Sequence, residues 1–78
     1  MTETITIRII PRDSDYVFVT SDDVPGLYLW GPPETVYSDL EPVIRDLYRS
    51  NRGIEVTEIR ALGATETERT LQIDSDAA

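Results

Sequence analysis

The sequence contains no cysteine and no histidine, and all seven of its basic residues are arginine. Disulfides, thiolate nucleophiles, imidazole bases and Cys/His zinc sites are therefore excluded, and so is an amine nucleophile from lysine. Glycine is scarce, at 4 residues, and nowhere forms a phosphate-cradling loop. No apolar run approaches the ~18 residues that a membrane span needs. The start, Met1-Thr2-Glu3-Thr4, is acidic and leads straight into a strand pattern, so no targeting segment is read there and the cytoplasm is the expected compartment.

What remains is small and acidic: 78 residues with 15 acidic against 7 basic side chains, a formal charge of −8. A chain of this size is one domain that buries only about 60% of the surface its unfolded state exposes. With disulfides and zinc excluded, oligomerisation or partner binding is the expected source of further stability. The negative surface repels phosphate backbones, which argues against direct nucleic-acid binding, and it favours a basic partner.

Period-two alternation places strands along the first third. Ile5, Ile7 and Ile9 alternate with Thr4, Thr6 and Arg8 up to Ile10 and Pro11. The turn Arg12-Asp13-Ser14-Asp15 leads to Tyr16-Val17-Phe18-Val19-Thr20, so the first two strands form an antiparallel hairpin. Ser21-Asp22-Asp23-Val24-Pro25-Gly26 reads as a structured loop, with Pro25, Gly26 and Gly31 as turn residues. Leu27-Tyr28-Leu29-Trp30 is the third strand. Val36, Leu40, Val43, Ile44 and Leu47 then share one helical face. Pro42 would cost roughly 3 kcal/mol inside a helix, so the regular helix is expected to begin near Ser38 or Asp39, with residues 34–38 a looser lead-in. Asn51-Arg52-Gly53 ends it. Ile54 to Arg60 is a fourth strand whose broken parity signals a bulge; Gly63 breaks it.

The predicted fold is α+β: a three-stranded antiparallel meander, one helix on one sheet face and a fourth strand, in the order β-β-β-α-β. The domain is expected over 1–62. Residues 63–78 are expected as a C-terminal extension, with Thr70-Leu71-Gln72-Ile73 able to pair as a short fifth strand and a disordered tail from Asp74.

Strands two and three are apolar on both faces. Tyr16 and Phe18 oppose Val17 and Val19; Leu27 and Leu29 oppose Tyr28 and Trp30. One helix covers one face only, so the surplus face is expected to meet a second subunit or another protein. Tyr16, Phe18, Tyr28 and Trp30 are the apolar interface candidates, and the acidic pairs Asp13/Asp15 and Asp22/Asp23 the electrostatic ones.

Catalysis finds little to work with. The first strand carries no carboxylate among Thr4 to Ile10, whereas a two-metal nuclease needs carboxylates converging from its strands. Ser14, Ser21, Ser38 and Ser50 have no base beside them in the sequence. Adjacent Asp22 and Asp23 lack the spacing of a calcium loop and are read as turn residues. No catalytic residue, metal or cofactor is expected.

The segment Tyr16-Val17-Phe18-Val19, Ser21-Asp22-Asp23-Val24-Pro25-Gly26-Leu27 and Gly31 resembles the HicB-like antitoxin family, with its strand, Asp-x-Pro-Gly turn, strand, glycine and helix. It is most similar to a short single-domain branch with a Leu-x-x-Val-Ile helix, here Leu40-Glu41-Pro42-Val43-Ile44. The resemblance covers residues 4 to about 62. It implies a partial ribonuclease-H-like fold without nuclease carboxylates. It also implies a partner: a small basic ribonuclease toxin whose RNA-binding face the antitoxin covers. Two features depart from the family. The usual Gly-x-Thr entry to the helix is replaced by Gly31-Pro32-Pro33-Glu34-Thr35, and the chain ends without the DNA-binding domain of longer members, so operator binding is not expected. The alternative is a stand-alone homo-oligomeric module that has kept the fold.

Overall fold

In the computed structural model, which describes residues 1–13 and 15–76, the isoleucine alternation of the first strand decides where the core lies. Six elements follow in order: β1 (Thr2–Pro11), β2 (Val17–Thr20), β3 (Tyr28–Gly31), α1 (Pro33–Arg52), β4 (Glu55–Ala64) and β5 (Glu68–Asp76). The strands form one antiparallel sheet in the order β3-β2-β1-β5-β4. The α+β class and the helix on one sheet face are as the sequence predicts. No helix is long and apolar enough to cross a membrane among the described residues.

Strand β1 is central, and Ile5, Ile7 and Ile9 all turn inward to the helix. Val17 and Val19 of β2, Val56 of β4, and Leu71 and Ile73 of β5 join them, with Val24 and Leu27 from the β2–β3 loop. From α1 come Val36, Leu40, Ile44 and Tyr48, a line at uniform spacing of four, while Val43 and Leu47 are only half-buried beside it. The helix thus lies a little rotated from its predicted apolar stripe: Tyr48, rather than Leu47, closes the inner face.

Helix α1 starts earlier than predicted. Residues 34–38 are regular helix, not a lead-in, and the N-cap is Pro32 in extended conformation with Pro33 as the first helical residue. Proline is pre-organised for that position because its missing N–H would have no intrahelical partner there. Pro42 therefore sits inside the helix, where it denies Ser38 its carbonyl partner. Both residues are exposed, so water reaches the orphaned oxygen. The end of α1 is as expected. Gly53 is left-handed, its N–H donates to Arg49 O at 3.0 Å, and Ile54 N–H donates to Tyr48 O at 3.2 Å.

The C-terminal part also differs from expectation. Strand β4 runs through Gly63, with register shifts between Val56 and Glu58 and between Ala61 and Gly63; the first lies within the predicted bulge. The fifth strand has 9 residues and is interior to the sheet, between β1 and β4. The tail expected from Asp74 is ordered through Asp76: Ser75 is buried, and its N–H donates to Met1 O at 2.8 Å. Its alternation, Leu71, Ile73 and Ser75 inward, supplies the reason, since these residues close the core along the β5 side of β1. The domain consequently extends past residue 62, to at least 76. Ser14, Ala77 and Ala78 lie outside the described residues.

Candidate protein-binding face

The sheet face opposite α1 carries the even-numbered residues of β1, β2, β3 and β5. Cross-strand rows can be read from the register. Trp30 pairs with Phe18 and Phe18 with Ile10; Tyr28 pairs with Thr20, Thr20 with Arg8, and Arg8 with Glu68. Further along, Thr6 faces Thr70 and Thr4 faces Gln72. One end of the open face is therefore aromatic and the other is a threonine-rich polar field.

The four aromatic candidates converge at the aromatic end. Tyr16 meets Trp30 edge-on, with ring centroids 5.0 Å apart and an interplanar angle of 77°, and Phe18 meets Tyr28 at 5.6 Å. Such pairs contribute about 0.5–1.5 kcal/mol beyond their area. Arg12 lies 5.9 Å over the Phe18 ring. Phe18 is half-buried among these neighbours, but Tyr28 is 68% exposed and Trp30 63%. Large aromatics at that exposure, side by side on an edge strand, form an apolar surface that the described residues leave largely open. The strand offers little backbone for pairing: β3 has 4 residues and is bracketed by Pro25-Gly26 and Pro32-Pro33.

The acidic candidates fall into two kinds. Asp13 and Asp15 are exposed in the β1–β2 turn beside Tyr16; Asp15 has a φ of 62°, and Arg12 N–H donates to Tyr16 O at 2.7 Å to close the hairpin. Asp22 and Asp23 are built into the scaffold. Strand β2 ends opposite Arg8, which leaves the next outward backbone groups of β1, those of Thr6, without a strand partner. The loop replaces the strand. Thr6 N–H donates to Asp23 Oδ2 at 2.8 Å, Ser21 Oγ–H donates to Thr6 O at 2.6 Å, and Asp23 N–H donates to Ser21 Oγ at 3.1 Å. Asp22 pairs with Arg8 and stays largely exposed. Thus, among the described residues, Asp13 and Asp15 carry no ion pair and stand beside Tyr16, Asp22 is engaged by Arg8, and Asp23 is a structural ladder piece.

Pro25 and Gly26 form a tight turn closed by Leu27 N–H donating to Val24 O at 3.2 Å, and Gly26 takes a φ of 88°. Proline followed by a positive-φ glycine is the type II pattern. A Cβ on Gly26 would also approach Leu47 Cδ2 at 3.3 Å. Asn51 Nδ2–H donates to Pro25 O at 2.8 Å, so the end of α1 holds this turn in place. Gly31 also has a positive φ, 150°, where the chain leaves β3 for the helix.

One cluster escaped sequence reasoning. Tyr48 O–H donates to Glu3 Oε2 at 2.5 Å, and Arg52 Nη1 lies 2.9 Å from that oxygen and 2.8 Å from Oε1. The Tyr48 bond and Arg52 hold the Glu3 carboxyl below its ordinary range, while burial and the same bond push the Tyr48 phenol upward. The signal was present in principle: Glu3 continues the inward parity of Ile5, Ile7 and Ile9, and an inward carboxylate requires partners. The cluster ties the end of α1 to the start of β1 and presents no reactive group to a pocket.

Among the described residues no group of three or more acidic side chains is placed to hold a metal ion. An open depression of about 390 Å³ lies beside the end of β1, lined by Arg8, Ile9, Ile10, Pro11, Thr67 and Glu68. Its polar lining residues are Arg8, Thr67 and Glu68, and Ile9, Ile10 and Pro11 make up the rest. No family model, curated protein or solved structure matches the chain.

Proposed function

We propose that the domain is a non-catalytic, antitoxin-like protein-binding module of the cytoplasm, whose open aromatic face covers the RNA-binding face of a small basic ribonuclease. The observation that carries the reading is the pair Tyr28 and Trp30, 68% and 63% exposed, in an aromatic patch with the exposed carboxylates of Asp13 and Asp15 beside Tyr16. Aromatic residues supply large contact area at low entropic cost and are enriched at binding hot spots. Asp13 and Asp15 at the rim match the arginine and lysine side chains that a ribonuclease needs for phosphate, and rim charges of this kind speed association. The net charge of −8 adds long-range attraction to such a partner and repels RNA itself. The resemblance of Tyr16 to Gly31 to the HicB-like turn supports the same partner class.

The test is affinity capture of the tagged chain from its own cell at low and high salt, followed by an RNA-cleavage assay on whatever is retained. The expected outcome is one small basic protein, retained less at high salt, that cleaves RNA alone and stops when the chain is added. A retained protein that is acidic, or whose activity is untouched, overturns the reading. A second reading, a homo-oligomeric module, is favoured by a different observation, the unpaired outer edge of β4.

A further inference from the structure

We infer that a second copy of this chain pairs with it along β4, the two strands running antiparallel about a two-fold axis at Ile59. The inference does not depend on what occupies the aromatic face. Strand β4 is an outermost strand of the sheet, and between its two register shifts residues 58–61 form a regular stretch of edge. Nothing among the described residues covers it, and Arg60 to Glu68 are all exposed, including Leu62 at 53%. An exposed edge with no proline in it is the kind of surface that pairs with another strand.

The backbone directions limit which residues can pair, and side-chain charge chooses among the registers within residues 58–61. Ser75 N–H points to β1, donating to Met1 O, whereas Asp74 O accepts from Thr57 Oγ on β4 and Glu68 O accepts from Thr65 N–H. Even-numbered residues of β5 thus face β4. Their partners Glu58 (opposite Asp74) and Arg60 (opposite Gln72) turn their backbone groups inward. Ile59 and Ala61 turn theirs outward, free to bond. An antiparallel two-fold pairing must match outward residues with outward residues. Centring on Arg60 sets Arg60 against Arg60 of the second copy. Centring on Ile59 sets Glu58 against Arg60 and Arg60 against Glu58, two opposite-charge pairs on one sheet face.

The same register relieves a feature of the single chain. Glu58 lies directly across from Asp74, a like-charge pair, and its compensation is Arg60 two residues on, Nε to Oε1 at 3.0 Å. In the dimer each Glu58 would have a guanidinium on its free side, from the second copy's Arg60, opposite the side held by Asp74. The sheet would become continuous across the two copies.

The experiment is sedimentation equilibrium of the full chain at ~150 mM salt, where a Debye length of about 8 Å screens the repulsion between two copies of net charge −8. Wild type is expected as a dimer. Arg60→Glu and Glu58→Arg should each weaken dimerisation about tenfold or more, because both intersubunit pairs become like-charged. The double variant Glu58→Arg/Arg60→Glu should restore it. Thermal melting of each variant confirms that the monomer is folded. A monomeric wild type at high protein concentration overturns the inference. So does a dimer that survives both single variants or is not restored by the charge swap. Loss of the dimer with Trp30→Ser, but not with Arg60→Glu, would place self-association on the aromatic face instead.

Discussion

Replacing Tyr48 by Phe removes one hydroxyl and leaves the ring in its core position. The Tyr48 side chain is buried, with the residue 2% exposed, and its O–H donates to a carboxylate at 2.5 Å. A hydrogen bond to a charged group contributes about 1.5–3 kcal/mol. Glu3 keeps Arg52 on both oxygens and is 29% exposed, so water replaces part of what is lost, and the lower end applies: about 1.5 kcal/mol. For a domain of this size that is about 6–12 °C in melting temperature. The pH dependence makes the prediction specific. The Glu3 carboxyl is held below its usual value of 4.5, first by the Tyr48 bond. Its stabilisation is therefore full above that value and lost as pH falls through the lower, folded one. The Tyr48 phenol is raised above its usual 10, so its own contribution is full below pH 10 and lost as pH rises beyond. The difference between wild type and Tyr48→Phe should be largest between pH 5 and 9, and shrink on both sides. Urea unfolding from about pH 3 to about pH 11 measures it. A difference below about 0.5 kcal/mol at pH 7, or one that does not change with pH, refutes the assignment.

Two substitutions in the scaffold have opposite signs. Gly26→Ala should destabilise by about 1–2 kcal/mol, because an L-residue at a φ of 88° is strained and the new methyl group meets Leu47; thermal melting reads this, and an unchanged melting temperature would mean that the turn is not of this type. Pro42→Ala should stabilise by about 1–3 kcal/mol, since it returns the Ser38 carbonyl its donor on an exposed helix face; a loss of stability would show that the helix does not run unbroken through this position.

Legibility in the sequence followed periodicity. The alternation of Ile5, Ile7 and Ile9 and the opposed sets on β2 and β3 were enough to predict the strands, and the four aromatics do share the face that α1 leaves open. Which face the helix covers was not readable, because both sets are apolar; packing against Val36, Leu40 and Ile44 selected the aliphatic one. The helix start was misplaced because the intrinsic cost of Pro42 was weighed without the tertiary packing of Val36, which holds the first turn. The last strand was undervalued because its inward line ends in Ser75, a residue that hydropathy does not mark as core. Asp22 and Asp23 looked equivalent in sequence. Only the early end of β2 explains why Asp23 serves the backbone of Thr6 while Asp22 remains at the surface.

The most direct test of the central claim is the affinity of the captured basic protein for wild type and for the Tyr28→Ser/Trp30→Ser variant, by titration calorimetry. Both side chains are mostly exposed, so the variant should fold with stability within about 1 kcal/mol of wild type. If the aromatic face is the binding surface, affinity should fall at least about 100-fold, as removal of two central aromatic anchors does. Unchanged affinity in a variant that folds normally would contradict the account and move the interface elsewhere on the domain.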